Sequence, residues 1–177
     1  MSATPQDATC EIGIVLARRA LDNPWIDHIW TPHALLAQAP DAAPGTLLSQ
    51  EGNASLFYAG PATIELFVSE TANYRDNLDA GEPRLWIAAR SREDGGLPEF
   101  LRVSVDPTEG EAFFESGADI VGTVSMPAEL SGWIAAFVDA FHVERVFLKR
   151  QRDRSERKEP GFGRGPQGGP KDGEKSS

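Results

Sequence analysis

The sequence predicts an α+β domain. A curved antiparallel β-sheet carries two short helices, a longer C-terminal helix packs on its open face, and a disordered tail follows. Three observations predict it. Short segments of alternating apolar residues recur at close spacing as far as Met126, separated by Gly, Pro and Asn turn signals. The connections between them are too short for parallel crossovers, which favours hairpins. After Pro127 the apolar residues repeat every three or four positions, the period of a helix. The 177 residues suit one domain without disulfides or metal. They divide into a flexible N-terminus (1–9), a single domain (10–150) and a tail (151–177), basic at first and then rich in Gly and Pro.

Glu11–Ala20 reads as the first strand, with Ile12, Ile14 and Leu16 on one face, and Asn23-Pro24 ends it. His28–Ala37 is the second, where Pro32 places a bend or a sheet edge. Ala39–Gly45 is a loop. Thr46–Gln50 and Ser55–Ala59 form a hairpin turned at Glu51-Gly52-Asn53, and Thr63–Val68 is a separate strand. Ser69 is placed to cap a helix over Glu70–Asp79, whose apolar face is Tyr74 and Leu78 and whose stop signal is Gly81.

Arg84–Ala89 and Phe100–Val105 pair across the turn Glu93–Gly96. Leu101, Val103 and Val105 share one face of that second strand, and Arg102 and Ser104 the other. Thr108–Ser116 reads as a helix with Ala112 and Phe113 inward, and Ile120–Met126 as the last strand. Pro127 opens the main helix, with Leu130, Trp133, Ile134, Phe137, Val138 and Phe141 in one stripe that ends near His142. Val143–Leu148 falls out of phase and takes another conformation. The 18 residues from Pro160 hold 6 Gly and 3 Pro, too little apolar surface to repay the entropy of ordering.

Charge is unevenly distributed. The whole chain carries 17 basic and 27 acidic side chains, a net −10. Met1–Val143 holds 7 Arg, no Lys and 21 acids, or −14; Glu144–Ser177 holds 10 basic and 6 acidic residues, or +4. Such an acidic body repels phosphates, so no nucleic-acid partner is expected for it. The basic tail is a solubilising segment or a contact for RNA, an anionic membrane or an acidic protein. No apolar run is long enough to span a bilayer. Met1–Cys10 lacks the basic and apolar regions of a signal peptide, and the lone Cys10 excludes an internal disulfide; both fit a cytoplasmic address.

No catalytic residue, cofactor or metal is expected. His28, His33 and His142 are isolated in sequence; Asp27 and His28 with His33 come nearest to a metal set, but neighbours on a strand point to opposite faces and are expected to diverge. There is no Gly-x-Ser-x-Gly elbow and no phosphate-binding loop, and Gly95-Gly96 lies between acids. The paired acids Glu109 and Glu111, and Asp76 and Asp79, read as solvated helix faces. The aromatic cluster is more distinctive. Trp25, Asp27, His28 and Trp30 fall within six residues and read as a partner-binding surface or as indole anchors of the core. Tyr74, Arg75 and Arg84 are placed on the same edge, unless the two arginines only make surface ion pairs. Lys149, Arg150 and Arg152 supply a basic complement to that surface.

These residues resemble an uncharacterised bacterial family, a domain of unknown function of about this size. The resemblance rests on Asn23-Pro-Trp-Ile-Asp-His-Ile-Trp30, Phe57-Tyr-Ala-Gly60, Glu70-Thr-Ala-x-Tyr-Arg75 and Gly81-Glu-Pro-Arg-Leu-Trp86. It continues through Ser125-Met-Pro127 with Trp133 and Phe137, and ends at Phe147-Leu-Lys-Arg-Gln-Arg152. Members of that family are often encoded beside molybdenum-dependent formate dehydrogenase subunits and their maturation factors. Some are labelled molybdopterin-guanine dinucleotide biosynthesis protein A. The resemblance therefore implies a non-enzymatic accessory protein for assembly, maturation or regulation of such a dehydrogenase, with a subunit or maturation factor as partner. The alternative it implies is a protein handling the molybdopterin nucleotide. The first strand, however, runs into Arg18-Arg19-Ala20-Leu21-Asp22, not into the glycine-rich phosphate loop of the guanylyltransferase.

Overall fold

The alternating segments fold into seven antiparallel strands in a computed structural model that describes residues 7–143. They are β1 (Ala8–Ala20), β2 (His28–Leu36), β3 (Leu47–Glu51), β4 (Ala54–Leu66), β5 (Arg84–Arg90), β6 (Glu99–Ser104) and β7 (Ile120–Ser125). Three α-helices join them: α1 (Thr71–Asp79), α2 (Pro107–Ala112) and α3 (Ala128–Phe141). The α+β class holds, with the longest helix C-terminal among the described residues. The strands form two sheets where one was expected, a four-stranded sheet in the order β2-β1-β4-β3 and a three-stranded sheet in the order β6-β5-β7. α1 interrupts the chain between them. β2 lies beside β7 and β4 beside β6, so both sheets enclose one core.

That core is built from the predicted faces. Ile12, Ile14 and Leu16 of β1 meet Ile64 and Leu66 of β4, Leu85 and Ile87 of β5, Val124 of β7, and Leu130, Ile134, Phe137 and Val138 of α3. β1 is central, so its other face is covered as well: Val15 and Ala17 pack with Leu56 in a second, smaller cluster. Burying each such aliphatic side chain favours folding by about 1.5–3 kcal/mol. Pro32 does mark an edge. β2 is the outer strand of its sheet, its register against β1 shifts between Val15 and Leu16, and the Pro32 ring lies where a Cβ on Gly122 of β7 would come within 3.2 Å.

Several boundaries differ from the sequence expectation. β1 begins at Ala8, within the stretch read as flexible. Thr63–Val68 is not a separate strand, because β4 runs unbroken from Ala54 through Pro61. Gly60, at φ 123°, and a register shift between Ile14 and Val15 place an irregularity just before the proline, whose ring supplies no N–H to the ladder. Ser69 does not cap α1. It lies in a 3-10 turn, Val68–Glu70, and its hydroxyl donates to the Glu70 carboxylate at 2.8 Å. Gly81 does end the helix region, at φ 86°.

Ala112 is exposed rather than inward, because α2 stops there and a 3-10 turn, Phe113–Glu115, carries Phe113 into the core. Ser104, on the face it shares with Arg102, is buried. Its hydroxyl donates to Glu109 at 2.6 Å and accepts the Asp106 N–H at 3.0 Å. Trp133 is half-buried and Phe141 exposed, so the buried stripe of α3 is narrower than its apolar pattern. Val143 is the last described residue; Glu144–Ser177, with the expected tail, lies outside the described residues, as do 1–6.

One buried amide positions the middle of the chain. Asn77 of α1 donates to the carbonyls of Arg84 and Val105, both at 2.8 Å, and accepts the Arg84 N–H at 3.0 Å. Asp106 caps α2 by accepting the Thr108 N–H and also accepts from Asn73, each at 2.8 Å.

Candidate functional site

The β1–β2 connection is a closed loop. The Leu21 N–H donates to the Asp27 carbonyl at 2.8 Å, and the Asn23 side chain accepts the Trp25 N–H at 2.9 Å. This Asx turn around Pro24 turns the Trp25 indole out to solvent, at 89% exposure, and leaves Ile26 and Ile29 exposed beside it. Trp30 points the other way. Its ring packs on Phe57 at 5.3 Å and edge-on to His28 at 6.2 Å, and its Nε1–H donates to the Gly95 carbonyl at 3.3 Å. Of the two indoles, one is an anchor and one a free surface.

His28 joins this loop to the β5–β6 turn. Its Nε2 meets the Gly95 carbonyl at 2.9 Å, so that nitrogen carries a proton and donates. Its Nδ1 lies 2.5 Å from the Asp27 carboxylate and 3.3 Å from Arg18 Nη2. An imidazolium donates to Asp27 there, whereas a neutral ring accepts from Arg18. Asp27 and His28 were expected to diverge and instead meet. Asp27 precedes β2, so the alternation of side chains along a strand does not govern it. Among the described residues no set of three His, Cys, Asp or Glu side chains stands where it could hold a metal ion.

Gly95 is required twice at this junction. Its φ is 69°, and a Cβ on it would lie 3.2 Å from His28 Cε1. The turn is held by the Gly95 N–H to the Arg92 carbonyl at 3.0 Å and the Gly96 N–H to Asp94 Oδ1 at 2.9 Å. The Gly96 amide, helped by Arg92 at 3.5 Å, holds the Asp94 carboxyl below the ordinary range. Across the turn Asp119 accepts the Ser91 N–H at 2.7 Å, and bonds from the Ser91 hydroxyl and amide hold its carboxyl low as well.

Two hollows flank His28. One, of about 650 Å³, lies between Trp25, Ile29, Arg92, Glu93 and Asp119. The other, of about 410 Å³, is walled by Arg18, Phe57, Asp94 and Leu97. They share Asp27, His28, Trp30, Gly95 and Gly96. The walls together carry four carboxylates against two guanidiniums.

Residues 11–152 match the family described as "Protein of unknown function (DUF3305)". The chain belongs to that family. No curated protein and no solved structure matches it. The DUF3305 match contains both loops of the cleft, and it runs on past Val143 to include Lys149, Arg150 and Arg152, which lie outside the described residues.

Only part of the expected surface comes together in this DUF3305 chain. Trp25, Asp27, His28 and Trp30 line the cleft. Tyr74 does not present a surface: it is 2% exposed, its hydroxyl accepts the Phe67 N–H at 3.1 Å, and burial pushes its pKa up. Arg75 is half-buried on the same helix, α1. Arg84 pairs with Glu82 at 3.2 Å at the far end of β5, roughly 20 Å along the strand from Ser91. Sequence reasoning missed Arg18, Phe57, Ser91, Arg92, Glu93, Gly95 and Asp119. The turn signal Asp94-Gly95 was the one local sign of that second wall. Among the described residues no helix is long and apolar enough to cross a membrane.

Proposed function

We propose that this DUF3305 protein is a non-enzymatic accessory protein that works through protein–protein contacts in the assembly, maturation or regulation of a molybdenum-dependent formate dehydrogenase. A subunit of that enzyme or one of its maturation factors is the partner. The observation that carries the contact is the Trp25 indole, held out to solvent on a loop closed by its own hydrogen bonds. Burying about 200 Å² of indole surface on a partner favours association by about 5 kcal/mol before ordering costs. Trp30 cannot serve this way, since it is already packed and bonded. The family resemblance through Asn23–Trp30 supports the choice of enzyme. A molybdopterin nucleotide would bring phosphates against walls richer in carboxylates than in guanidiniums, which weighs against the cofactor-handling alternative.

Affinity capture from the native host with mass spectrometry tests this reading. Wild-type protein should retain a formate dehydrogenase subunit or maturation factor. Trp25→Ala should lose it at an unchanged melting temperature. Capture unaffected by Trp25→Ala, or tight binding of a molybdopterin nucleotide with no protein retained, overturns it.

A further inference from the structure

We infer that the cleft at Trp25 takes a positively charged segment of its partner, with an arginine or lysine side chain lying on the indole and its cation among Asp27, Glu93 and Asp119. This deepens the docking reading and rests on it. Trp25 offers an exposed π-face, which attracts a guanidinium or ammonium and gives an apolar bed for the side-chain stem. The larger hollow beside it has three carboxylates, Asp27, Glu93 and Asp119, and one guanidinium, Arg92.

That guanidinium is engaged, lying 3.5 Å from Asp94. Arg18 belongs to the other hollow and sits at His28. Glu93 is exposed and has no ion-pair partner among the described residues. The Gly96 amide holds the Asp94 carboxyl low, and the Ser91 hydroxyl and amide hold that of Asp119 low, which keeps both ionised and the potential negative. A purely apolar partner would cover these carboxylates without replacing their water, which is costly. An anionic one would be repelled. A cation over the indole satisfies both walls, and the −14 of residues 1–143 steers it there.

The test is a nuclear magnetic resonance titration of the ¹⁵N-labelled full chain with a blocked tetra-arginine peptide at low salt. Blocked tetra-glutamate serves as the counter-probe. Shifts should concentrate at the Trp25 indole N–H and the amides of Glu93, Gly95 and Gly96. Trp25→Ala and the pair Asp27→Asn with Glu93→Gln should each weaken binding about threefold to tenfold. Glu93→Gln alone, at an exposed side chain, keeps the comparison clear of folding effects. The pair Glu129→Gln with Asp139→Asn, on exposed positions of α3, removes the same charge and should change little. Absence of binding, shifts spread over the surface, equal weakening by the α3 pair, or preference for tetra-glutamate overturns the inference. Partner capture separates the two readings. If Trp25→Ala loses the partner while the Asp27→Asn, Glu93→Gln pair keeps it, docking stands and the cationic segment falls. If both keep it, docking itself falls.

Discussion

Two glycines in helices predict opposite responses to one methyl group. On Gly110 of α2 a Cβ would lie 2.1 Å from Trp86 Cγ and 2.4 Å from Cδ1 and Cδ2. Cγ sits next to the Trp86 backbone, so the ring cannot clear the methyl without leaving its rotamer or moving α2 away from β5. Overpacking of this kind costs typically about 1–3 kcal/mol, and so deep an overlap belongs at the upper end. Alanine recovers about 1 kcal/mol through its better helix propensity. Gly110→Ala should therefore lose about 2 kcal/mol. Gly132 of α3 has no heavy atom within 4 Å of its would-be Cβ, so Gly132→Ala should gain about 0.5–1 kcal/mol. Urea unfolding followed by tryptophan fluorescence, with m-values compared, measures both. A midpoint for Gly110→Ala at or above wild type would mean that α2 does not press on Trp86, and the packing argument would fail.

Asn77→Ala should destabilise by about 2–4 kcal/mol, because it strips partners from the Arg84 N–H and from the Arg84 and Val105 carbonyls in a buried site; chemical denaturation reads it. Phe137→Ala should cost about 3–5 kcal/mol and Trp133→Ala clearly less, since only the first ring is buried; equal losses would show that the Trp133 side of α3 is covered. The Asp119 carboxyl is held low in the folded state, so its contribution to stability is present above about pH 4, the unfolded carboxylate value, and disappears as pH falls through the lower folded value. Stability measured against pH should accordingly fall less steeply on the acid side in Asp119→Asn than in wild type.

Local pattern carried the elements, and long-range placement set what it missed. The α3 stripe was readable because the helical period is a property of neighbours in sequence. Trp133 and Phe141 were over-read because the period says which side chains share a face, not how far a neighbouring sheet covers it. The strands bond as two separate sheets, and the packing of β2 beside β7 and of β4 beside β6 brings the sheets together without any sequence signal. Ser55–Ala59 and Thr63–Val68 read as separate strands, yet an irregularity in register at Gly60-Pro61 lets β4 continue through both. At the cleft, Trp25–Trp30 was legible as one wall. The opposite wall was not, because the bond between His28 and Gly95 closes 67 residues of sequence. The Asp27–His28 contact was missed by applying strand alternation one residue too early.

The two walls of the cleft differ in how freely they can change. The Gly95 carbonyl receives both His28 and Trp30, so any change in the length of residues 91–96 pulls on two side chains of β2 and on the Trp30–Phe57 contact behind them. The loop over 21–27 closes on itself through Leu21 and Asp27, and residues 22–26 are all exposed. It is a cassette that can be exchanged whole: a different five-residue insert between the same closing pair would give the cleft a new rim while the hydrogen bonds that hold its floor stay in place.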